Sequence, residues 1–445
     1  MTELKHISIL GGGPGGLALG YYSKKNNFPF TIYESSHRTG GNAITLDHMG
    51  FSFDSGAHRL HDKDEEVTQE LIELIGEELR KIQVPSQIFH NRKFIDFPLS
   101  PLNLLNNLGF ATTIKATFAF LKTKFKSGNK NENFHTFAIN SYGEEIARRF
   151  LLNYSEKLWG KPCSQLSPSI AGKRMKGLTL KTLIKEAVLG SSAKTEHLDG
   201  AFYYPDTGYG TIVDKLTEYC GKNTIKTDSR VTKVFHNFRK IEAIEINGNQ
   251  RIEVEEVVST LPLSFFIKIL DPQPDDSILS LADELHFRNV IVVSLLLDRD
   301  KFTENGSVYF PDLEFPFTRI YEPVNRSKQM TPPGKASVCV EIPCQTHEKI
   351  WNMDEKEISE MISSKFVEIG WMKKDDIIGS KIIRLPDAYP ILELGFEKKV
   401  ELVYDFLNQF ENLKLSGRNG KFLYTHIHDM MRFAIEIIDS YQKHN

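Results

Sequence analysis

The stretch LKHISILGGGPGGLALGYYSKK, residues 4–25, carries the strongest fold signal in the chain. Its apolar opening, residues 4–10, predicts a strand, the glycines predict a tight turn, and residues 17–25 predict a helix. A second strand is predicted at residues 30–34. Strand, helix and strand within about 30 residues form a β–α–β unit, which predicts a parallel sheet.

The glycines of this turn have the spacing of a dinucleotide-binding fingerprint. Gly11, Gly13 and Gly16 form G-x-G-x-x-G between the predicted strand and helix, with Gly15 inside the same turn. The first glycine permits the turn, the second lets the backbone approach a pyrophosphate, and the third lets helix and strand pack closely. The helix N-terminus then offers free N–H groups and a positive dipole end to phosphate.

The second predicted strand ends in a carboxylate. Glu34 lies eighteen residues after Gly16, the distance at which an acidic residue accepts hydrogen bonds from the adenosine ribose. A carboxylate there also repels a 2′-phosphate and so disfavours NADP. The two features together predict a bound dinucleotide.

Composition limits the other classes of function. The net charge of −3 gives no overall basic field for nucleic acid. One locally basic and aromatic stretch, residues 115–130, favours a solvated helix face, with a shallow membrane-surface contact as the alternative. No apolar run approaches the roughly 20 residues that span a bilayer. Four scattered cysteines without CxxC spacing predict reduced thiols, no metal site and a cytoplasmic protein.

The residues after Glu34 resemble a known cofactor motif. Arg38, Gly40 and Gly41 in SSHRTGGNAIT resemble the extended motif of glutathione-reductase-like FAD proteins, and VVSTLP at residues 257–262 resembles a strand-to-turn element of the same group. That group includes amine oxidases, protoporphyrinogen oxidases and UDP-galactopyranose mutases. The resemblance implies non-covalent FAD held by Gly11, Gly13, Gly15, Gly16, Glu34, Arg38, Gly40, Gly41, Asn42, Gly56, Ala57 and Arg418.

This resemblance also implies an architecture. The fold class is α/β: a glutathione-reductase-like, FAD-binding Rossmann domain with an inserted α+β substrate domain. Residues 1–62, 205–265 and 390–445 are expected to form the discontinuous FAD-binding domain. Residues 63–204 and 266–389 are expected to form the substrate-binding or cap domain, a helical insert plus antiparallel sheet. Residues 252–260 (IEVEEVVST) are expected to form one strand, and residues 86–98 a hairpin.

Further motifs resemble UDP-galactopyranose mutases, in order along nearly the whole chain. They are SGAHRLH at residues 55–61, NYSEKLWGKP at 153–162, AGKRM at 171–175, FTRIYEP at 317–323, AYPI at 388–391 and GRNGKFLY at 417–424. The resemblance implies that His58, Arg174 and Arg319 are catalytic and that Tyr154, Trp159, Tyr389 and Tyr424 bind substrate, with Lys157 in the same cleft. Arginine and tyrosine are the donors that a dianionic diphosphate requires.

The sequence departs from the mutase pattern at three places. Leu178 stands where bacterial mutases have a second arginine, and residues 178–200 are longer than the bacterial loop. After Tyr424, His426 precedes the displaced Asp429.

Three functions stay open at this level. A mutase-like enzyme would act on a nucleotide- or diphosphate-linked sugar through the flavin, with arginines stabilising the leaving diphosphate. An oxidoreductase resembling protoporphyrinogen oxidase, amine oxidase or a desaturase would pass hydride to flavin N5. A non-catalytic flavin-binding scaffold is the third. In each of the first two, the partner is a small-molecule substrate. A cleft with converging arginines favours the mutase, and one dominated by Phe favours the oxidoreductase.

Overall fold

A computed structural model describes residues 4–97, 132–172 and 201–443. The strands are β1 (Ile7–Leu10), β2 (Phe30–Tyr33), β3 (Thr45–His48), β4 (Phe51–Asp54), β5 (Leu79–Ile82), β6 (Ser86–His90), β7 (Lys93–Phe97), β8 (Phe202–Pro205), β9 (Ile225–Lys226), β10 (Val231–His236), β11 (Ile241–Ile246), β12 (Gln250–Glu253), β13 (Glu256–Ser259), β14 (Leu270–Asp271), β15 (Phe287–Leu297), β16 (Ser307–Tyr309), β17 (Arg319–Tyr321), β18 (Ala336–Cys344), β19 (Ile377–Pro390) and β20 (Leu413–Leu415).

Helices lie between these strands and in one separate group. They are α1 (Pro14–Lys25), α2 (Glu65–Ile75), α3 (Phe134–Tyr142), α4 (Glu144–Ile146), α5 (Asn153–Trp159), α6 (Gly210–Cys220), α7 (Leu263–Lys268), α8 (Asp276–Asp283), α9 (Glu355–Glu368), α10 (Phe396–Leu407), α11 (Gly417–Gly420) and α12 (Ile427–Lys443). A π-helical segment, Ala147–Leu152, joins α4 to α5.

A five-stranded parallel sheet confirms the predicted β–α–β unit and the Rossmann fold. Its order is β20-β13-β1-β2-β9, and β1 pairs in parallel with both β2 and β13. Its central strand is fully buried, as a parallel sheet covered on both faces requires. The carboxyl ends of β1, β2, β13 and β20 therefore meet at one edge, where an α/β sheet binds its ligand.

A seven-stranded sheet, order β19-β15-β18-β17-β16-β6-β7, forms the second large unit. Its long strand β15 is buried along its whole length and pairs antiparallel with β18 and β19. The β6–β7 hairpin is confirmed, and its turn residues Asn91 and Arg92 both have positive φ. Helices α3 to α5 pack beside this sheet, and a large cavity lies between them and the parallel sheet.

The single strand predicted at residues 252–260 is wrong. The chain turns at Val254 and Glu255, so β12 joins the antiparallel sheet of β10 and β11 while β13 enters the parallel sheet. β13 is buried along its whole length, whereas β12 is largely exposed at the edge of its sheet.

Several predicted features lie outside the described residues. They are the basic stretch 115–130, Arg174, Leu178 and the longer segment 178–200. Within the described ranges no helix combines the length and apolar character needed to cross a membrane. The four cysteines are buried and unpaired with one another. The division into two discontinuous domains stays a prediction.

Candidate active site

The glycine turn leaves space at the N-terminus of α1. A Cβ added to Gly16 would lie 1.9 Å from the Gly11 carbonyl oxygen, so this position requires glycine for the turn itself. A Cβ on Gly13 would meet only the Gly41 Cα, at 3.9 Å. No side chain caps α1, so its first N–H groups face this space. The turn therefore forms a cradle for an anion.

Glu34 is held beside the turn. Its Oε2 accepts a hydrogen bond from the Gly12 N–H at 2.7 Å, and its Oε1 accepts one from the Ser36 N–H at 2.8 Å. The Ser35 hydroxyl also donates to Oε1, at 3.3 Å. A carboxylate has about four acceptor positions, so Oε2 keeps capacity for a ribose hydroxyl. Glu34 therefore lies beside the glycine turn with its carboxylate fixed in position.

The segment after β2 folds back onto the turn. The Gly40 N–H donates to the Gly12 carbonyl at 2.9 Å, and Arg38 donates to the Gly41 carbonyl. On the other side, Gly15 approaches Gly417 so closely that a Cβ would lie 2.8 Å from the Gly417 Cα. The predicted cofactor residues at positions 11–16, 34 and 38–42 thus meet the GRNG segment at one edge of the sheet.

A cavity of about 510 Å³ extends from this edge. One end is lined by Gly13, Gly15, Gly41, Asn42, Gly56, Ala57 and Arg418, and the interior by His58, Tyr154, Trp159, Arg319, Tyr389 and Tyr424. With the exception of Arg174, the structure brings every predicted catalytic and substrate-binding residue to this one cavity. A continuous space of this kind can hold a flavin ring against a substrate.

His58 lies in the wall of the cavity, stacked on Tyr209. The two ring centroids are 4.9 Å apart, and Nε2 donates to the Asn42 carbonyl at 3.0 Å. Burial, together with the nearby guanidinium groups of Arg418 and Arg319, lowers the pKa of His58 to about 3. His58 is therefore neutral at physiological pH and supplies no positive charge.

This lowered pKa predicts a pH effect on stability. Unfolded His58 takes up a proton below about pH 6.5, whereas the folded imidazole resists protonation down to about pH 3. Stability is therefore lost as pH falls through this window, by up to about 1.4 kcal/mol per pH unit. We expect His58→Gln to flatten the fall of Tm between pH 6.5 and about 4.5. The exposed His347→Gln should leave the profile unchanged, and equal profiles for all three proteins would contradict the assignment.

Arg319 forms a bidentate ion pair inside the cavity wall. Its Nε and Nη2 donate to the two oxygens of Glu341, each at 2.8 Å, because the two residues are opposite each other on β17 and β18. Glu341 also accepts a hydrogen bond from the Ala57 N–H at 2.7 Å. Only Nη1 of Arg319 has no partner among the described residues. Arg319 therefore offers one edge of its guanidinium to a ligand.

Arg418 has a different environment. Its guanidinium donates to the carbonyls of Thr425 and Ala388 and lies 5.3 Å from the ring centroid of Tyr424. No carboxylate pairs with it in the part of the chain that the structure describes. Its positive charge is therefore fixed in position and not neutralised.

The predicted substrate-binding aromatics form one cluster. Trp159 lies edge-to-face with Tyr389 and with Tyr424, at centroid distances of 5.7 and 5.9 Å. Burial raises the pKa of Tyr389, as do the nearby Glu341 and Tyr424 groups, while Arg319 lowers it. Across the described ranges, the hydroxyls of Tyr389, Tyr424 and Tyr154 have no hydrogen-bond partner. They are available to a ligand.

One expectation from sequence needs correction, and two residues of the site were missed. Lys157 does not line the cavity, because its Nζ donates to the carbonyls of Phe310 and Asp312 and fixes that loop. Glu341, which the sequence did not single out, is the residue that orients Arg319. Tyr209 was also missed as a wall of the site; the aromatic residue after Gly208 was the available signal.

The fold defines a dinucleotide-binding protein, and the cavity opens from the cofactor edge of the sheet into a chamber lined by Arg319, Arg418, Trp159, Tyr389 and Tyr424. A solved structure titled reduced UDP-galactopyranose mutase superposes with a TM-score of 0.86, 16% identity and coverage of 99% of this chain and 96% of that one. A protein assigned as a protoporphyrinogen oxidase from Exiguobacterium sp. 255-15 gives 0.79, 16% identity and complete coverage of both chains. Coproporphyrinogen III oxidase of Bacillus subtilis is 21% identical over 58% of this chain and 60% of its own length. The chain thus spans less than two thirds of that curated relative.

The family of flavin containing amine oxidoreductases matches residues 14–370, and the chain belongs to it. Its cofactor is FAD. The residues fit this group: the space beside Gly13 admits a pyrophosphate, the N-terminus of α1 faces it, and Glu34 Oε2 has an acceptor position left for the ribose. The protein is an FAD-dependent enzyme of this family. The roles of the individual site residues stay predictions.

Proposed function

We propose that this enzyme acts on a nucleotide- or diphosphate-linked sugar through its flavin, as a UDP-galactopyranose-mutase-like isomerase. The carrying observation is the charge of the cavity. Its described lining has four cationic side chains, Arg59, Lys63, Arg319 and Arg418, and one carboxylate, Glu341. The whole chain has a net charge of −3. A positive chamber in a negative protein favours an anionic substrate.

Different residues around the chamber would contact different parts of such a substrate. When bound in its reduced form, the flavin supplies the nucleophile. Arg418 and the Nη1 edge of Arg319 face the charge that develops on a leaving diphosphate, where fixed donors lower the barrier most. The free hydroxyls of Tyr389 and Tyr424 add neutral donors beside them. Glu341 keeps Arg319 in place so that no reorganisation is needed.

An oxidoreductase is the second candidate. Apolar residues line the part of the cavity next to helices α3 and α5, and this favours an apolar substrate that gives hydride to the flavin. The relatives include coproporphyrinogen III oxidase of Bacillus subtilis. Arg319 and Arg418 both lie near Tyr424. This supports the isomerase more strongly, because hydride abstraction from a neutral carbon needs no such cations.

An anaerobic assay separates the two candidates. The dithionite-reduced enzyme is incubated with UDP-galactose or with farnesyl-diphosphate-linked galactose, and the ring size of the sugar is determined. We expect a furanose isomer from at least one substrate, without oxygen. If neither sugar rearranges and turnover of any substrate requires oxygen or another acceptor, the isomerase is excluded.

Tyr424→Phe provides a matched test of the diphosphate contacts. The substitution keeps the ring that packs against Trp159 and removes only the hydroxyl. A lost hydrogen bond to a charged group should lower the isomerisation rate by about 10- to 100-fold. Tyr219→Phe, on the far side of the parallel sheet beside Tyr21, is the control and should keep the wild-type rate. An unchanged rate in Tyr424→Phe would remove this residue from the substrate site.

A further inference from the structure

One side of the cavity is apolar and extends away from the cations. We call it the apolar arm. Its described walls come from the β6–β7 hairpin, from β16 and the loop after it, and from the helical group, and they are Ile88, Phe97, Tyr142, Phe150, Leu151, Leu158, Tyr309 and Pro311. Ile88, Tyr142 and Phe150 belong to one buried hydrophobic cluster, against which Phe97, Leu151 and Tyr309 pack. The arm therefore has continuous, close-packed walls.

Aromatic rings connect the arm to the charged chamber. Tyr154 lies close enough to Arg319 for the two side chains to interact electrostatically. The Tyr154 ring is 5.9 Å from Tyr309, and the Tyr309 ring is 5.1 Å from Phe97. These ring contacts run from Tyr154, which lines the cavity together with Arg319, to Phe97 in the wall of the arm. A ligand that binds both regions is therefore anionic at one end and apolar along the other.

The polar groups of the two regions differ in kind. The chamber offers guanidinium groups and tyrosine hydroxyls. The arm and its entrance carry the hydroxyls of Tyr142, Tyr154, Ser155 and Tyr309, and the guanidinium of Arg59 donates to Ser86 and Ser307 at the start of β6 and β16. A nucleoside needs partners for its base edge and its ribose, because each polar group buried without one costs free energy. A hydrocarbon chain needs only apolar surface, which these walls supply.

We propose that the diphosphate of the substrate is joined to a hydrocarbon chain of the isoprenoid type, and that the apolar arm binds this chain. The inference rests on the proposed function, since the chamber is taken to hold the diphosphate. The substrate class is therefore a lipid diphosphate sugar, and a nucleotide sugar is the class that the arm selects against.

Binding of simple probes to the FAD-loaded enzyme tests this proposal. Inorganic pyrophosphate, farnesyl diphosphate, farnesol and UDP are titrated by calorimetry. We expect farnesyl diphosphate to bind at least about tenfold more tightly than pyrophosphate, because several methylene-sized groups are buried. The affinity for UDP should exceed the affinity for pyrophosphate by less than this factor. If UDP binds more tightly than farnesyl diphosphate, the proposal is overturned.

Two variants on one strand test where the hydrocarbon chain of the ligand binds. Phe97 lines the arm, whereas Phe94 on the same strand stacks on Trp371 outside it and is 39% exposed. Phe97→Ala should remove most of the advantage of farnesyl diphosphate over pyrophosphate, and Phe94→Ala should keep it. Equal affinities in Phe97→Ala and the wild type would overturn the proposal.

The same titrations distinguish failure of this inference from failure of the proposed function. If pyrophosphate binds and the farnesyl group adds no affinity, the arm does not bind a lipid chain, but the anion site stands. If farnesol binds as tightly as farnesyl diphosphate and pyrophosphate does not bind, the diphosphate site of the proposed function is wrong, and with it the lipid diphosphate.

Discussion

Gly13→Ala is expected to yield a folded protein that no longer retains FAD. Gly13 has φ −72° and ψ −176°, a conformation that alanine adopts without strain, and its Cβ would meet only the Gly41 Cα at 3.9 Å. The added methyl group would instead occupy the space through which the pyrophosphate passes at the N-terminus of α1. Loss of two charge-assisted hydrogen bonds costs about 3–6 kcal/mol, a decrease in affinity of at least about 100-fold.

Gly16→Ala provides the contrast. Its Cβ would lie 1.9 Å from the Gly11 carbonyl oxygen, so the turn itself must break. We expect Gly16→Ala to lose both FAD and stability. In Gly13→Ala the free energy of unfolding of the FAD-free protein should change by less than about 1 kcal/mol, since the helix cap changes only from glycine to alanine. Flavin absorbance after gel filtration measures the retention of FAD, and urea unfolding measures the stability of each variant. A Gly13→Ala protein that stays yellow, and so retains FAD, would contradict the role of this turn as a cradle for the pyrophosphate.

Arg319→Ala is expected to have the second large effect, on stability as well as on activity. The substitution leaves Glu341 buried, with its charge uncompensated and the Ala57 N–H as its one remaining described donor. Breaking one partner out of a buried ion pair typically costs about 3–5 kcal/mol. The loop at Ala57 and His58 should also lose its fixed position, because Glu341 holds it. Urea unfolding and the isomerisation rate measure the two effects.

Two further variants separate charge from structure. Arg319→Ala combined with Glu341→Ala removes both charges and should recover part of the lost stability while activity stays absent. Arg418→Ala should cost less stability, since its partners are the carbonyls of Thr425 and Ala388 and not a carboxylate. If Arg319→Ala is no less stable than Arg418→Ala, the pairing with Glu341 does not support the cavity wall.

Local patterns predicted the cofactor half of the molecule well. The turn at Gly11–Gly16, the strand that ends before Glu34 and the hairpin turn at Asn91 and Arg92 each depend on residues adjacent in sequence. Their geometry is imposed by backbone conformation and by short hydrogen bonds. Such features can be derived from one sequence because no distant partner decides them.

The features that the sequence did not predict depend on distant partners. Glu341 orients Arg319 because β17 and β18 pair in one register, and that register follows from the packing of the whole seven-stranded sheet. Residues 252–260 divide between two sheets because each half has a different neighbour. The Nζ of Lys157 donates to the carbonyls of Phe310 and Asp312, which lie about 150 residues further along the chain.

The most direct test of the proposed function follows the flavin spectrum during anaerobic turnover. The enzyme is reduced once with dithionite, freed of excess reductant, and given many equivalents of the diphosphate-linked sugar. An isomerase should convert the sugar repeatedly while its flavin stays reduced, with no acceptor consumed. Product that forms only with oxidised flavin, one acceptor reduced for each molecule converted, would contradict this account.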